Sequence, residues 1–148
     1  MNFNNLNLTI ELVPSTSFYK NLRKILSKQQ WDILRRESYR KANYRCEICG
    51  GKGQNHPVEC HEIWHYDDEN LIQRLNGLIS LCPPCHEVKH IGYAGISGNF
   101  DRAVIQLSKV NHISTNDAHL YIQKVYDLWE KRSLKQWEID ISWIENKR

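Results

Sequence analysis

The chain has 148 residues, of which 41% are hydrophobic and 25% are charged, and its formal net charge is +3. This length suits one domain that buries its own core, so a second full domain is not expected. The first 20 residues lack a basic start followed by an apolar run, and no segment approaches the roughly 18 apolar residues of a membrane span. We therefore expect a cytoplasmic protein without a membrane partner.

The N-terminal region predicts basic helices. Residues 1–8 contain four asparagines and are expected to be irregular, whereas VPSTS reads as a turn from which Ser15 or Ser17 caps a helix. From Phe18 to about Ala42, apolar residues recur at helical spacing, with a predicted break near Ser27.

The same region carries an excess of positive charge. Residues 20–45 include nine basic side chains and two acidic ones. Such a run indicates a phosphate-facing surface, or else an ordinary solvated helical face. Four arginines of this run are candidate nucleic-acid contacts: Arg35, Arg36, Arg40 and Arg45.

Four of the five cysteines form two C-x-x-C pairs. Cys46 and Cys49 lie in CEICGG, and Cys82 and Cys85 lie in CPPC, with 32 residues between the pairs. In a chain without a secretion signal, this pattern predicts a metal site and a reducing compartment. Four thiolates suit a structural Zn²⁺ ion; iron uses the same ligand set, and unpaired buried cysteines are the remaining interpretation.

The segment between the two pairs predicts a hairpin followed by a helix. PVECHEIW and LNGLISLC are strand-like and flank the polar stretch HYDDENLIQR. Pro83 suits the first turn of a helix that runs to about Gly92. His86 and His90 are four residues apart, so they share one helical face and can bind one metal ion.

Two further helices are predicted near the C-terminus. One spans about Asp101–Lys109, after the glycine-rich GYAGISG. The other covers STNDAHLYIQKVYDLWEKR, where Ser114 and Asp117 have the spacing of an N-terminal cap. QWEIDISWI is either a strand or a short packed tail, and its tryptophans are expected in the core.

The motifs YRCEICGG, ECHEIWHYDD and LCPPCHEVKH resemble the HNH endonucleases of the His-Me finger superfamily, in their zinc-knuckle form. More narrowly, they are similar to a bacterial group of small HNH-like proteins that are usually labelled nucleases. The resemblance covers about residues 44–92 and implies that this segment forms a zinc-knuckled ββα-metal centre, treble-clef-like. Together with the helices predicted on either side, this centre is expected to form one α+β domain of residues 1–148, with basic N-terminal helices at 16–43 and a C-terminal helical extension at 93–148.

The resemblance also implies a function, namely metal-dependent hydrolysis of phosphodiester bonds in nucleic acid, with DNA favoured. In the superfamily a strand histidine is the general base, and a helix holds the divalent ion. His61 matches the base, while His86 and His90 would hold the ion, which could be Mg²⁺, Mn²⁺, Ni²⁺ or Zn²⁺. The acids of HEIWHYDD either orient His61 or are solvated.

Two positions depart from the family pattern. Cys60 stands where the family commonly has aspartate or histidine, which implies a zinc-bound second site, an altered metal preference, a lost activity or a buried unreactive thiol. The place of the middle asparagine is held by Gly77, with Asn76 one residue earlier and Asn70 in the loop.

Two other classes of function fit the sequence. One is a catalytically inactive HNH-like zinc module that binds nucleic acid or protein, using the arginines named above on phosphates. The other is a rubredoxin-like redox protein, against which the extra histidines argue. The nuclease requires His61 to lie beside an open metal position.

Overall fold

The computed structural model describes residues 2–147 and has an α+β architecture. Within those residues, six helices accompany a three-stranded sheet. The elements are α1 (Leu22–Ile25), α2 (Lys28–Lys41), β1 (Glu59–Asp67), β2 (Ile72–Leu81), α3 (Pro83–Lys89), α4 (Ile91–Ile96), α5 (Phe100–Asn111), α6 (Thr115–Arg132) and β3 (Glu138–Asp140).

The predicted break between the N-terminal helices is confirmed at Ser27. Its hydroxyl accepts from the Gln30 N–H at 3.2 Å while the Gln30 side chain accepts from the Ser27 N–H at 3.1 Å, so a reciprocal cap starts α2. The predicted cap at Ser15 or Ser17 is wrong, because Asn21 caps α1. Ser17 instead lies in a 3-10 turn, and its hydroxyl donates to the side chain of buried Gln73 at 2.7 Å.

The predicted hairpin is present, but its strands are longer than expected. β1 and β2 pair antiparallel with His61 opposite Ile79, and only residues 68–71 of the polar stretch HYDDENLIQR form the turn. Asp67 holds this turn by accepting from the backbone N–H groups of Glu69 and Asn70. Both ends of the polar stretch are strand, because Tyr66 and Gln73 are buried. The polar composition of the stretch gives no sign of this burial.

The C-terminal segment QWEIDISWI forms a short strand, followed by a 3-10 turn at Ser142–Lys147. β3 pairs parallel with β2, aligning Glu138 with Ile72 and Asp140 with Arg74. Trp137 is 4% exposed, as expected for a core residue. The Ser114 cap of α6 is also confirmed, because its hydroxyl accepts from the Asp117 N–H at 3.0 Å.

The glycine-rich segment after α3 is helical. α3 ends at Lys89 with His90 as its C-cap, and α4 begins at the next residue and includes the expected stop at Gly92. Each helical glycine costs up to about 1 kcal/mol relative to alanine. Complete burial of an isoleucine contributes about 1.5–3 kcal/mol, and Ile91 is 0% exposed, which offsets that cost.

The hairpin lies between two hydrophobic cores. The first core includes three of the four paired cysteines, Cys46, Cys82 and Cys85, and side chains of α3, α4, α5 and α6. The second core lies on the other face of β1, where alternating residues Cys60, Trp64 and Tyr66 pack with Trp31 of α2 and with Trp137. Alternate residues of β1 therefore point to opposite faces of the sheet: one face packs in the second core, and the other carries Glu59 and His61. No helix among residues 2–147 combines the length and apolarity needed to cross a membrane.

Candidate metal centres

The two cysteine pairs converge, as their spacing predicts. Cys46 and Cys49 lie on the turn after α2, Cys82 caps α3, and Cys85 lies in its first turn. All four sulfur atoms lie within 4.8 Å of one another, and the cluster can hold a metal ion such as Zn²⁺. Three of these cysteines are buried and Cys49 is exposed, so solvent reaches the cluster on one side.

The backbone around the first pair is arranged for thiolates. The N–H groups of Ile48 and Cys49 donate to Cys46 Sγ at 3.4 and 3.5 Å, and the Gly51 N–H donates to Cys49 Sγ at 3.4 Å. Gly50 adopts φ +76°, a left-handed conformation that glycine takes at little cost. N–H donors stabilise negatively charged sulfur, which is the form that binds metal.

Hydrogen bonding within the cluster separates the thiol pKa values. Donation from Cys85, assisted by backbone N–H groups, lowers the pKa of Cys46 to about 4 against the opposing effect of burial. Burial raises the pKa of Cys82 to about 12, and the bond to Cys46 together with burial raises the pKa of Cys85. Ion binding at this cluster would therefore release protons.

The cysteine turn is fastened to the end of β2. The Glu47 N–H donates to the Ser80 carbonyl at 2.9 Å, and the Glu47 carboxylate accepts from the Ser80 N–H at 2.6 Å. The buried hydroxyls of Ser80 and Ser38 are 2.8 Å apart and tie α2 to the same point. Because Cys82 follows Ser80 by two residues, these contacts bring the pairs together despite the long sequence between them.

Three histidines form a second cluster of possible metal ligands. His61 comes from β1, His86 from α3 and His90 from the C-cap of α3, and one ring nitrogen of each lies within 4.8 Å of the others. Nε2 of His86 and Nε2 of His90 are 3.0 Å apart. Two imidazoles that bind one zinc ion at about 2.0–2.1 Å have their nitrogens about 3 Å apart, so this separation suits a shared ion.

Glu59 orients one of these histidines, and the sequence analysis missed it. Its carboxylate lies 3.1 Å from Nδ1 of His86 and 3.0 Å from Nε2 of His56. Acceptance from Nδ1–H leaves His86 Nε2 unprotonated and directed at His90, as in the carboxylate–histidine pairs of metal sites. Glu59 precedes His61 by two residues, so strand periodicity could have placed both on one face.

The surroundings of His61 and His90 favour the neutral form of these two rings. Burial lowers the pKa of His61 to about 2, with positive charge at His90 and His86 adding to the effect. Loss of hydration, followed by charge at His86, lowers the pKa of His90 to about 4. Burial acts to raise the pKa of Glu59, but its bonds to His56 and His86 bring it below the usual value. A carboxylate behind neutral imidazoles is a suitable cation site.

Replacing Glu59 by glutamine should weaken ion binding at the histidines by about 10–100-fold, the usual effect of losing a partner that orients a ligand. Titration of zinc into protein whose cysteine site is already filled would measure this. Glu69→Gln, in the exposed turn of the hairpin, is the control. Equal affinities for Glu59→Gln and wild type would contradict the orienting role.

Cys60 does not join either ligand cluster of the described residues. It follows Glu59 on β1, so its side chain points to the second core and away from the face that carries His61. Burial raises its pKa to about 12, against the weaker effect of a hydrogen bond with Ser38. Of the alternatives that the sequence leaves open, this placement matches the buried unreactive thiol.

The acids of HEIWHYDD do not orient His61. Glu62 accepts from the Leu22 N–H at 3.1 Å and from the Trp64 indole at 3.0 Å, on the opposite strand face. Asp67 holds the hairpin turn as described above, and Asp68 forms a bidentate pair with Arg132 at 2.9 Å. Their roles in the described contacts are therefore structural.

The four candidate arginines are distributed over different surfaces. Arg35 lines a groove of about 700 Å³ between α2 and the start of β1, which also includes Glu59 and His86. Arg36 and Arg40 are exposed on α2 and do not line this groove, and Arg45 donates to the Gly50 carbonyl at 3.3 Å. Two further groove residues, Arg23 and Lys28, belong to the basic run but not to the four candidates, and the sequence did not single out Tyr44.

Comparisons with protein-family models, with curated proteins and with solved structures find no match to this chain. A fold by itself does not imply a function, but the chemistry of the two clusters and of the groove limits which functions are possible.

Proposed function

We propose that the protein is a metal-dependent endonuclease of the HNH type, which hydrolyses phosphodiester bonds in nucleic acid, with DNA as the favoured substrate. The observation that carries the proposal is the convergence of His61, His86 and His90, one of which, His86, also lines a groove that carries basic side chains. In this proposal β1, β2 and α3 correspond to the ββα-metal unit, and the four cysteines correspond to a structural, treble-clef-like zinc site.

The donor set suits particular ions. Three imidazole nitrogens with a carboxylate behind one of them favour zinc, nickel or iron over magnesium, which prefers oxygen ligands. When bound, a divalent ion supplies two effects needed for hydrolysis, a lowered pKa of water and compensation of the charge that develops on the phosphate. The residues present therefore fit a catalytic ion, and we place Zn²⁺ and Ni²⁺ ahead of Mg²⁺ and Mn²⁺.

We assign His61 to the ion as a third ligand, whereas its place in the family motif suggests a general base. Its ring nitrogen lies as close to His86 and His90 as ligands of one ion require. A histidine with a pKa near 2 is also a weak proton acceptor, because an effective general base has a pKa near the working pH. The same low pKa keeps the imidazole neutral, as a ligand must be.

The remaining residues would prepare the site and hold the substrate. Glu59 fixes the ring of His86 through Nδ1, so that binding an ion costs little reorganisation. Arg35, Arg23 and Lys28 place positive charge along the groove, where they would contact phosphates.

A plasmid nicking assay tests the proposal. Purified protein in excess over supercoiled DNA should produce nicked and then linear molecules with Zn²⁺ or Ni²⁺, and chelation of the added ion should stop the reaction. His90→Ala, purified in the same way, is the control for contaminating nucleases. Absence of cleavage of DNA and of RNA with all four candidate ions would reject the nuclease.

The two positions at which the chain differs from the family motif support a second candidate function. Gly77, with φ +152° and opposite Ile63, stands in the place of the motif asparagine, while Asn76 is exposed at a bulge in the hairpin. Cys60 is buried in the second core. These features favour an inactive zinc module that binds nucleic acid or protein, and such a module would leave the plasmid supercoiled in the same assay.

A further inference from the structure

We infer that the groove between α2 and β1 binds single-stranded nucleic acid and leads its phosphates to the histidine cluster; this inference rests on the proposed function. The groove has a volume of about 700 Å³. One wall is α2, the other is formed by Tyr44 and residues 56–60, and His86 lies at its edge. A strand in the groove would therefore lie next to the candidate ion site.

The charged groups of the groove select an anion. Arg23, Lys28 and Arg35 line it, against two carboxylates. Asp32 accepts from the Arg35 Nε–H at 2.8 Å, and Glu59 is engaged by two histidines. Each carboxylate is thus already partnered, which leaves the lysine and the arginine edges to attract phosphate.

The aromatic groups of the groove select bases as well as phosphates. The Arg23 guanidinium lies 5.5 Å from the Trp31 ring centre, and the Arg35 guanidinium lies 6.0 Å from that of Tyr39. Tyr44 is 46% exposed, so much of its side chain remains accessible. Trp31 is 7% exposed and therefore supports Arg23 and not a base, whereas the exposed ring of Tyr44 can stack on an unpaired base while the neighbouring cations neutralise its phosphate.

The backbone holds Tyr44 in an unusual conformation. Asn43 and Tyr44 have φ values of +54° and +58°, in the left-handed region that a tyrosine seldom adopts. The Tyr44 N–H donates to the Tyr39 carbonyl at 2.9 Å and closes this turn. Such conformations occur often at binding sites, and here the turn presents the ring to the groove directly before the first cysteine pair.

The aromatic lining favours a single strand over a duplex. In a duplex the faces of the bases are stacked on one another, so a protein ring cannot reach them without opening the helix. A surface that binds only duplex phosphates gains nothing from an exposed ring such as that of Tyr44. Duplex binding is accordingly the competing outcome of the test.

The test is fluorescence anisotropy with a labelled 12-nucleotide DNA strand and with the matching duplex. Zinc-loaded protein is used without a further divalent ion, and a denaturing gel checks that the probe stays intact. Wild type should bind the single strand at least about tenfold more tightly. Tyr44→Asn, which removes the ring and tolerates the left-handed backbone, should weaken single-strand binding about tenfold and leave duplex binding unchanged.

Matched variants separate the groove from general charge. Arg35→Gln should weaken single-strand binding, whereas Arg36→Gln, next in the chain but outside the groove, should not. Tyr93→Asn, at a tyrosine that is 71% exposed on α4, controls for loss of a surface ring. Thermal melting of each variant shows whether it folds. If Tyr44→Asn does not fold, the binding of Arg35→Gln decides the test.

Equal or tighter binding of the duplex, or unchanged single-strand binding in both groove variants, would overturn the inference. The result is separable from that of the proposed function. Cleavage of duplex DNA without single-strand preference would reject the groove assignment and keep the nuclease. Groove-dependent binding of the single strand, without cleavage in the presence of any ion, would reject the nuclease and keep the groove assignment.

Discussion

Replacing Cys85 by serine is expected to abolish zinc binding at the cysteine cluster and to unfold the centre of the protein. Its side chain is 0% exposed, and it joins α3 to the cysteine turn in the first core. Structural zinc sites contribute about 10–16 kcal/mol of apparent binding free energy in small zinc domains, comparable with the 5–15 kcal/mol that stabilises a whole domain. Loss of one ligand should therefore cause extensive unfolding at ordinary temperature.

Metal analysis of the purified variant, together with a circular dichroism melting curve, measures both effects. Wild type should retain one zinc per chain through gel filtration, and Cys85→Ser should retain much less. Cys60→Ser is the matched control, because Cys60 is also buried but belongs to neither ligand cluster of the described residues. Wild-type zinc content and melting temperature in Cys85→Ser would disprove a structural role for the cysteine cluster.

Replacing His61 by alanine should reduce cleavage by about a hundredfold or more while the fold remains. Removal of a group that acts directly in hydrolysis commonly has an effect of this size. The cysteine cluster is built from other residues, so its zinc and the melting temperature should change little. Initial rates of plasmid nicking, with melting curves in parallel, provide the measurement.

The ion content of this variant distinguishes two roles for His61. As a ligand, it should be required for the second ion, so His61→Ala would bind one metal ion where wild type binds two. A variant that keeps both ions but does not cleave would instead assign the general base. His65→Ala is the control, because His65 lies on the same strand, is exposed and is outside the cluster. Equal cleavage by His61→Ala and wild type would refute both roles.

Local sequence signals predicted the features whose geometry depends on neighbouring residues. The helix break at Ser27 and the cap at Ser114 are set within four residues by one side chain and a few backbone N–H groups. The two-residue spacer in each C-x-x-C pair similarly allows one turn to direct both sulfurs inward. Helical spacing placed His86 beside His90 for the same reason.

The tertiary structure decided which groups meet across long sequence separations. Cys60 and His61 are adjacent in sequence, yet the pleat of β1 places them on opposite faces, and only packing determines which face meets α3. The pairing of Glu59 with His86 depends on that choice, as does the position of the groove between α2 and β1. The sequence by itself determined the ligand types and their local spacing. A strand cannot present two consecutive side chains to the same surface, so only one of Cys60 and His61 can face α3. Long-range burial determined that it is His61.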